Sequence, residues 1–131
     1  RLNADLHAVE TRIAAESGLE FLFNSAGFGV RSGFHETNFE TQHGMHRLHI
    51  LAIVRLTYTA FKAMTKRRKG TIINVSSLAG FFTSANSVGC SATKAWINSF
   101  TEGFSLELKS LQSPVRLQAL CPGFITRSFT M

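Results

Sequence analysis

Apolar residues recur at helical spacing in three stretches, and a short unbroken apolar run follows each. Over residues 5–16 (DLHAVETRIAAE), Leu6, Val9, Ile13 and Ala14 share one helix face, with Asp5 suited to the N-cap and Gly18 as the stop. LEFLF (19–23), bounded by Gly18 and by Asn24-Ser25-Ala26-Gly27, predicts a strand buried on both faces. Residues 27–40, rich in Gly and Phe, predict no regular element. From about Thr41 to Arg68 the spacing is helical again, with Met45, Leu48, Leu51, Ala52, Leu56, Thr59 and Met64 largely on one side and Gly70 as the stop. TIINV (71–75) predicts a second strand, and residues 76–89 a loop. A third helix is expected from about Ser91 to Leu111. Its stripe is Ile97, Phe100, Phe104, Leu108 and Leu111, and Gly103 permits a close neighbour. Ser113-Pro114 ends it, and VRLQALC (115–121) predicts a third strand.

This alternation without internal repeats predicts an α/β fold of order α-β-α-β-α-β. Strands separated by whole helices pair in parallel, with helices expected on both faces of the sheet. Open sheets of this kind bind ligands beyond the carboxyl ends of their strands. Those ends carry Asn24-Ser25-Ala26-Gly27, Ser76-Ser77 and Pro122-Gly123, so the polar and glycine-rich residues gather where chemistry is expected.

Composition narrows the classes. With 131 residues, 44% hydrophobic and 17% charged, the chain is one ordinary domain, neither a disordered tail nor a coiled coil. No apolar run reaches the ~18 residues of a membrane span. No basic-then-apolar leader precedes the first helix, and a cytoplasmic location is expected. The Arg1 start and the abrupt Met131 end suggest a piece cut from a longer protein. Cys90 and Cys121 lie 31 positions apart, outside any CxxC spacing, and are expected to be reduced thiols. The net charge is +6, with one dense run, Lys66-Arg67-Arg68-Lys69. A phosphate patch is one reading of that run; a solvated helix end offsetting the helix dipole is preferred. His43, His46 and His49 recur every three residues, but HxxHxxH lacks the usual glutamate, and no metal site is expected.

Four segments at the strand ends resemble those of the short-chain dehydrogenase/reductase family. Asn24-Ser25-Ala26-Gly27 resembles its NNAG turn, and Asn74-Val75-Ser76-Ser77-Leu78-Ala79-Gly80 its active-site serine loop. Cys90-Ser91-Ala92-Thr93-Lys94-Ala95 resembles its YxxxK segment, and Cys121-Pro122-Gly123-Phe124 its PG loop. Ser77 lies thirteen residues before position 90, with Lys94 four beyond it, as in the family. The resemblance covers essentially the whole chain. It implies a partial NAD(P)-binding domain over residues 1–131, the C-terminal portion of a Rossmann-like doubly wound parallel sheet whose first strands are missing. It further implies hydride transfer between NAD or NADP and an alcohol or carbonyl substrate. Ser77 would orient the substrate oxygen, while Lys94 would hold the ribose and lower the pKa of a tyrosine phenol one turn away. Asn24, Ala26 and Gly27 would line the adenosine side, with Val75, Pro122, Gly123 and Ile125 near the nicotinamide. Plainer readings are a turn-closing hydroxyl for Ser77, an exposed helix lysine for Lys94 and an ordinary strand-ending turn for Pro122-Gly123.

Three departures from the family matter. The tyrosine position is Cys90, whose side chain is shorter by an aromatic ring, so most or all dehydrogenase activity is expected to be lost. Reactive thiol chemistry at Cys90, beside Lys94, is the alternative. The helix position where the family places a relay asparagine is His49; the relay is attributed mainly to a backbone carbonyl and a water, which histidine can keep, so His49 puts the relay in question without removing it. The glycine-rich turn that seats the pyrophosphate at a helix N-terminus has no counterpart, so weak dinucleotide binding and an open edge on strand 19–23 are expected.

Phe28, Phe34, Phe81, Phe82, Phe124 and Phe129 sit in or near the rim loops. An apolar substrate is one reading, and anchoring of the loops onto the core is slightly preferred. The family's two long helices often form a dimer interface, which points to a homo-dimer or tetramer through helices 41–68 and 91–111. The resulting expectation is a short-chain oxidoreductase, impaired or inactive in this chain. A non-catalytic binding or scaffold protein on the same fold comes second, and a nucleic-acid binder through Lys66–Lys69 a distant third.

Overall fold

The computed structural model describes residues 1–25 and 27–122. Helix α1 spans Leu2–Ala15 and strand β1 Phe21–Asn24. The middle helix runs as α2 (Phe39–His46), one wider π turn (Arg47–Leu51) and α3 (Ala52–Arg67). Strand β2 (Gly70–Val75), a short 3₁₀ turn (Leu78–Phe81), helix α4 (Val88–Ser110) and strand β3 (Val115–Leu120) complete the order. The expected α-β-α-β-α-β order is present, and the three strands pair in parallel as β1-β2-β3. Leu22 stands beside Ile72 and Ile72 beside Leu117, so one row of side chains crosses the sheet.

Ile13, Ala60, Met64, Ile72, Leu108, Val115 and Leu117 form the core between the sheet and α3 and α4. Helix α1 packs chiefly on α3 and reaches the core through Ile13. Arg55 fixes it there with two hydrogen bonds to Glu10, at 2.5 and 3.1 Å.

Several sequence expectations change. The helices cover one face of the sheet among the described residues, not both. The alternate residues Phe21, Phe23, Arg116, Gln118 and Leu120 point the other way and are exposed. Strand β1 is therefore not buried on both faces: Phe21 and Phe23 are 56% and 57% exposed. It is also an edge of the sheet, as expected. Helix α1 starts earlier than Asp5, which lies within its first turn. The middle helix is stopped by Arg68, not Gly70. Arg68 adopts the left-handed conformation (φ 59°), and the Lys69 N–H donates to the Met64 carbonyl at 3.1 Å, closing the helix end. Gly70 instead opens β2 at φ 155°, where a side chain would collide with Met64.

Candidate active site

The carboxyl ends of the three strands converge. The Ser76 N–H donates to the Leu120 carbonyl (2.7 Å) and the Leu78 N–H to the Pro122 carbonyl (3.1 Å), tying the serine loop to the loop after β3. The Ser76 hydroxyl donates to the Lys94 carbonyl at 3.1 Å. Gly80 presses on the same helix turn, so closely that a Cβ there would lie 2.8 Å from the Lys94 carbonyl carbon. These contacts hold the serine loop against α4.

Ser77 caps the 3₁₀ turn, its Oγ accepting from the Ala79 N–H at 3.1 Å. Its own O–H donates to no other group among the described residues, which leaves a proton free for an incoming oxygen. Cys90 lies in the first turn of α4, a half-buried free thiol near Gly29. Lys94 is half-buried one turn on. Burial pushes its ammonium below the ordinary lysine range, and the neighbouring Cys90 acts in the opposite direction. Among the described residues, Lys94 has no carboxylate partner. This is not the exposed helix lysine of the plainer reading.

His49 sits in the π turn and is 1% exposed. Its Nδ1 lies 2.7 Å from Thr93 Oγ1, and the Thr93 hydroxyl donates to the Cys90 carbonyl at 2.9 Å. Its Nε2 is buried without a hydrogen-bond partner among the described residues. Burial first, then the charge of Lys94, hold its pKa at about 4, while the Phe28 backbone opposes them. Gly27 passes so close that a Cβ would lie 2.6 Å from Nε2.

The remaining candidates are placed as follows. Val75 ends β2 half-buried, and Pro122 is half-buried in the loop after β3. Asn24 is buried, and its Nδ2 donates to Asn74 Oδ1 at 2.8 Å. Ala26, Gly123 and Ile125 lie outside the described residues, as do Phe124 and Phe129.

Four things were not foreseen from the sequence. Asn74 is a hub: its Oδ1 also accepts from Thr57 (3.3 Å), and its Nδ2 donates to Thr101 (3.1 Å). A buried polar network therefore binds β1, β2, α3 and α4 just beneath the site. An amide in the middle of a buried strand was the signal, because it must find partners. Second, Thr93 links His49 to the Cys90 turn. Third, the Cys121 thiol donates to Asn98 Oδ1 at 3.3 Å. Fourth, Phe28, Phe34, Phe81 and Phe82 are all exposed, so the preferred reading of loop anchoring fails for these residues.

Two other motifs resolve differently. In the basic run, Lys69 pairs with Glu20 at 2.6 Å and Arg67 reaches the Ala14 carbonyl at 3.5 Å, so two of its charges clasp neighbouring elements. The three histidines diverge: His43 is exposed and stacks on Phe39, His46 bonds the Gln42 carbonyl, and His49 is buried. No group of three metal-ligating side chains occurs among the described residues, and no helix there is long and apolar enough to cross a membrane.

The short chain dehydrogenase family model matches residues 3–131. Human 15-hydroxyprostaglandin dehydrogenase [NAD(+)] is 34% identical over 110 residues, 82% of this chain and 38% of that protein. The bulky-bulky ketone specific alcohol dehydrogenase from Comamonas testosteroni superposes with a TM-score of 0.86 at 30% identity, over 98% of this chain and 50% of that one. A short-chain dehydrogenase from Sphingobium yanoikuyae, in complex with NADPH, gives 0.86 at 28% identity, over 95% and 48%. The chain spans about half the length, or less, of the curated relatives it matches.

Proposed function

The chain belongs to the short-chain dehydrogenase family, and from that premise we propose that it forms the substrate-side half of an NAD(P)-dependent oxidoreductase whose proton-transfer group is replaced by Cys90. The observation that carries the proposal is the clamping of the Ser77 loop onto the helix turn that presents Cys90 and Lys94, beyond the carboxyl ends of β2 and β3.

The residues present suit a nicotinamide ribose. Lys94 offers a half-buried ammonium without a carboxylate partner among the described residues. Val75 and Pro122, with Gly123 and Ile125, would border the nicotinamide. Asn24 has its side chain committed to Asn74, so its part in holding the adenosine, beside Ala26 and Gly27, falls to its backbone. The bound cofactor would supply or accept the hydride. Ser77 would donate a hydrogen bond to the substrate oxygen, and Lys94 would fix the ribose. The oxygen that receives the hydride's negative charge also needs a proton, and the thiol of Cys90 stops short of where a phenol would end. Positioning and electrostatics are retained while general acid–base catalysis, worth about 10²–10⁴ in rate, is impaired. The exposed Phe28, Phe34, Phe81 and Phe82 favour an apolar alcohol or carbonyl. A groove of about 390 Å³ between α3 and α4, lined by Val54, Tyr58, Phe100, Gly103 and Phe104, favours a homo-oligomer through these helices. A cytoplasmic location fits this role.

The second reading, a non-catalytic binding protein on the same fold, is favoured by Cys90 itself. Calorimetric titration of the protein with NAD+ and with NADPH, repeated on Lys94→Ala, tests the proposal. Weak binding of either cofactor, weakened further by the substitution, is the expected result. No heat with either cofactor would overturn the oxidoreductase reading and favour the binding protein.

A further inference from the structure

Helices α1 and α3 border a hollow of about 460 Å³ near their carboxyl ends. Each of these helices leads into the start of a strand, so the hollow lies at the opposite end of the sheet from the serine loop. Tyr58, Lys62 and Lys66 follow one another at four-residue spacing along α3 and line it together with Arg67. Ala14 of α1 and Ala63, which also line it, leave its interior open. No acidic residue lines it. The acids of the adjoining segments are committed elsewhere: Glu10 to Arg55, Glu16 to Arg12 at 3.8 Å and Glu20 to Lys69 at 2.6 Å. Glu107 of α4 lies in the neighbouring groove that Tyr58 also borders. Lys62, Lys66 and Arg67 thus have no carboxylate partner among the described residues. Lys62 instead holds its ammonium 5.5 Å from the centre of the Tyr58 ring. Arg67 Nη2 reaches the Ala14 carbonyl at 3.5 Å, and Nη1 is buried with no hydrogen-bond partner among the described residues.

We propose that this hollow binds the phosphate group of a small molecule in solution. The two helix ends contribute about half a negative charge each, so three cations leave an excess of about two positive charges. A phosphate dianion matches that excess, and its oxygens suit one guanidinium and two ammonium donors; a carboxylate would neutralise half of it. Lys62 and Lys66 repel each other across one helix turn, and Arg67 keeps a buried donor unused. An anion in the hollow relieves both costs, after a small swing of the Arg67 side chain from its long hydrogen bond. Of the basic run, only Lys66 and Arg67 line the hollow, which favours one phosphate group over a nucleic-acid backbone. The site shares no residue with Ser77, Cys90 or Lys94 and does not rest on the oxidoreductase reading.

Tyr58 is the single tyrosine of the chain, so its carbon-13-labelled ring reports on the hollow without ambiguity. The protein is titrated with inorganic phosphate at constant ionic strength, with chloride as the balancing salt, and the ring signals are followed by NMR. A saturable shift specific to phosphate is expected. Replacing both exposed lysines, Lys62→Gln with Lys66→Gln, should weaken phosphate at least about fivefold, the upper worth of one exposed ion pair. Lys109→Gln, a cation of α4 outside the hollow, should leave the affinity unchanged. A response no greater than that to chloride, or equal affinity in the double variant, would overturn the proposal. So would binding of phosphatidylserine vesicles or a DNA duplex by a protein that does not respond to free phosphate.

Discussion

Gly80→Ala probes the clamp that joins the serine loop to α4. A Cβ at position 80 would lie 2.8 and 2.9 Å from the Lys94 carbonyl carbon and oxygen, and 2.6 Å from Asn98 Nδ2. Ordinary carbon contacts begin near 3.4 Å. The Asn98 amide can rotate away, but the Lys94 carbonyl belongs to the backbone of a long helix and is also held by the Ser76 hydroxyl. The turn must therefore back away from α4, loosening that hydrogen bond. Overpacking of this kind costs about 1–3 kcal/mol. With a urea slope of about 1–3 kcal/mol per molar, the unfolding midpoint should fall by about 1 M at unchanged slope. Gly103→Ala is the matched control, since nothing lies within 4 Å of its Cβ. There the better helix propensity should stabilise dilute protein by about 0.5–1 kcal/mol. A neutral Gly80→Ala, or equal losses from both substitutions, would refute the clamp.

Three further outcomes are expected. Asn74→Ala strips partners from Asn24, Thr57 and Thr101 at once and should destabilise by at least about 3 kcal/mol in urea unfolding; a loss below about 1 kcal/mol would show the network to be incidental. Burial holds the His49 pKa at about 4 in the folded protein against 6.5 in the unfolded chain, so above pH 6.5 both states are neutral and nothing is lost. As pH falls from 6.5 to about 4 only the unfolded chain takes the proton, removing about 3 kcal/mol at about 1.4 per pH unit. Urea midpoints between pH 7 and 4.5 should fall less steeply in His49→Phe, and parallel curves would refute this. Gly27→Ala places a Cβ against the buried His49 ring and should destabilise by about 1–3 kcal/mol, read by thermal unfolding; a wild-type melting curve would refute the close approach.

Element order and the meeting of the three strand ends were legible because apolar periodicity and strand-end motifs are local signals. The face of β1 bearing Phe21 and Phe23 was misread for a physical reason. An unbroken apolar run reports that both faces suit burial, not that the covering elements lie in the same stretch of chain. The stop at Arg68 was hidden because a left-handed cap is made by backbone hydrogen bonds, and arginine carries no mark of it. The π turn at His49 likewise depends on tertiary packing against Thr93 and Gly27, which helical spacing does not encode. The Asn74 network was visible only as one polar residue in TIINV, and its partners are up to 50 positions away.

Cofactor-linked turnover in the protein and in its Cys90→Tyr variant, with both nicotinamide cofactors and a panel of apolar alcohols and ketones, tests the central claim most directly. The tyrosine variant is expected to turn over at least about 10² times faster than the Cys90 protein. Equal turnover by the two proteins, or none by either despite bound cofactor, would contradict it.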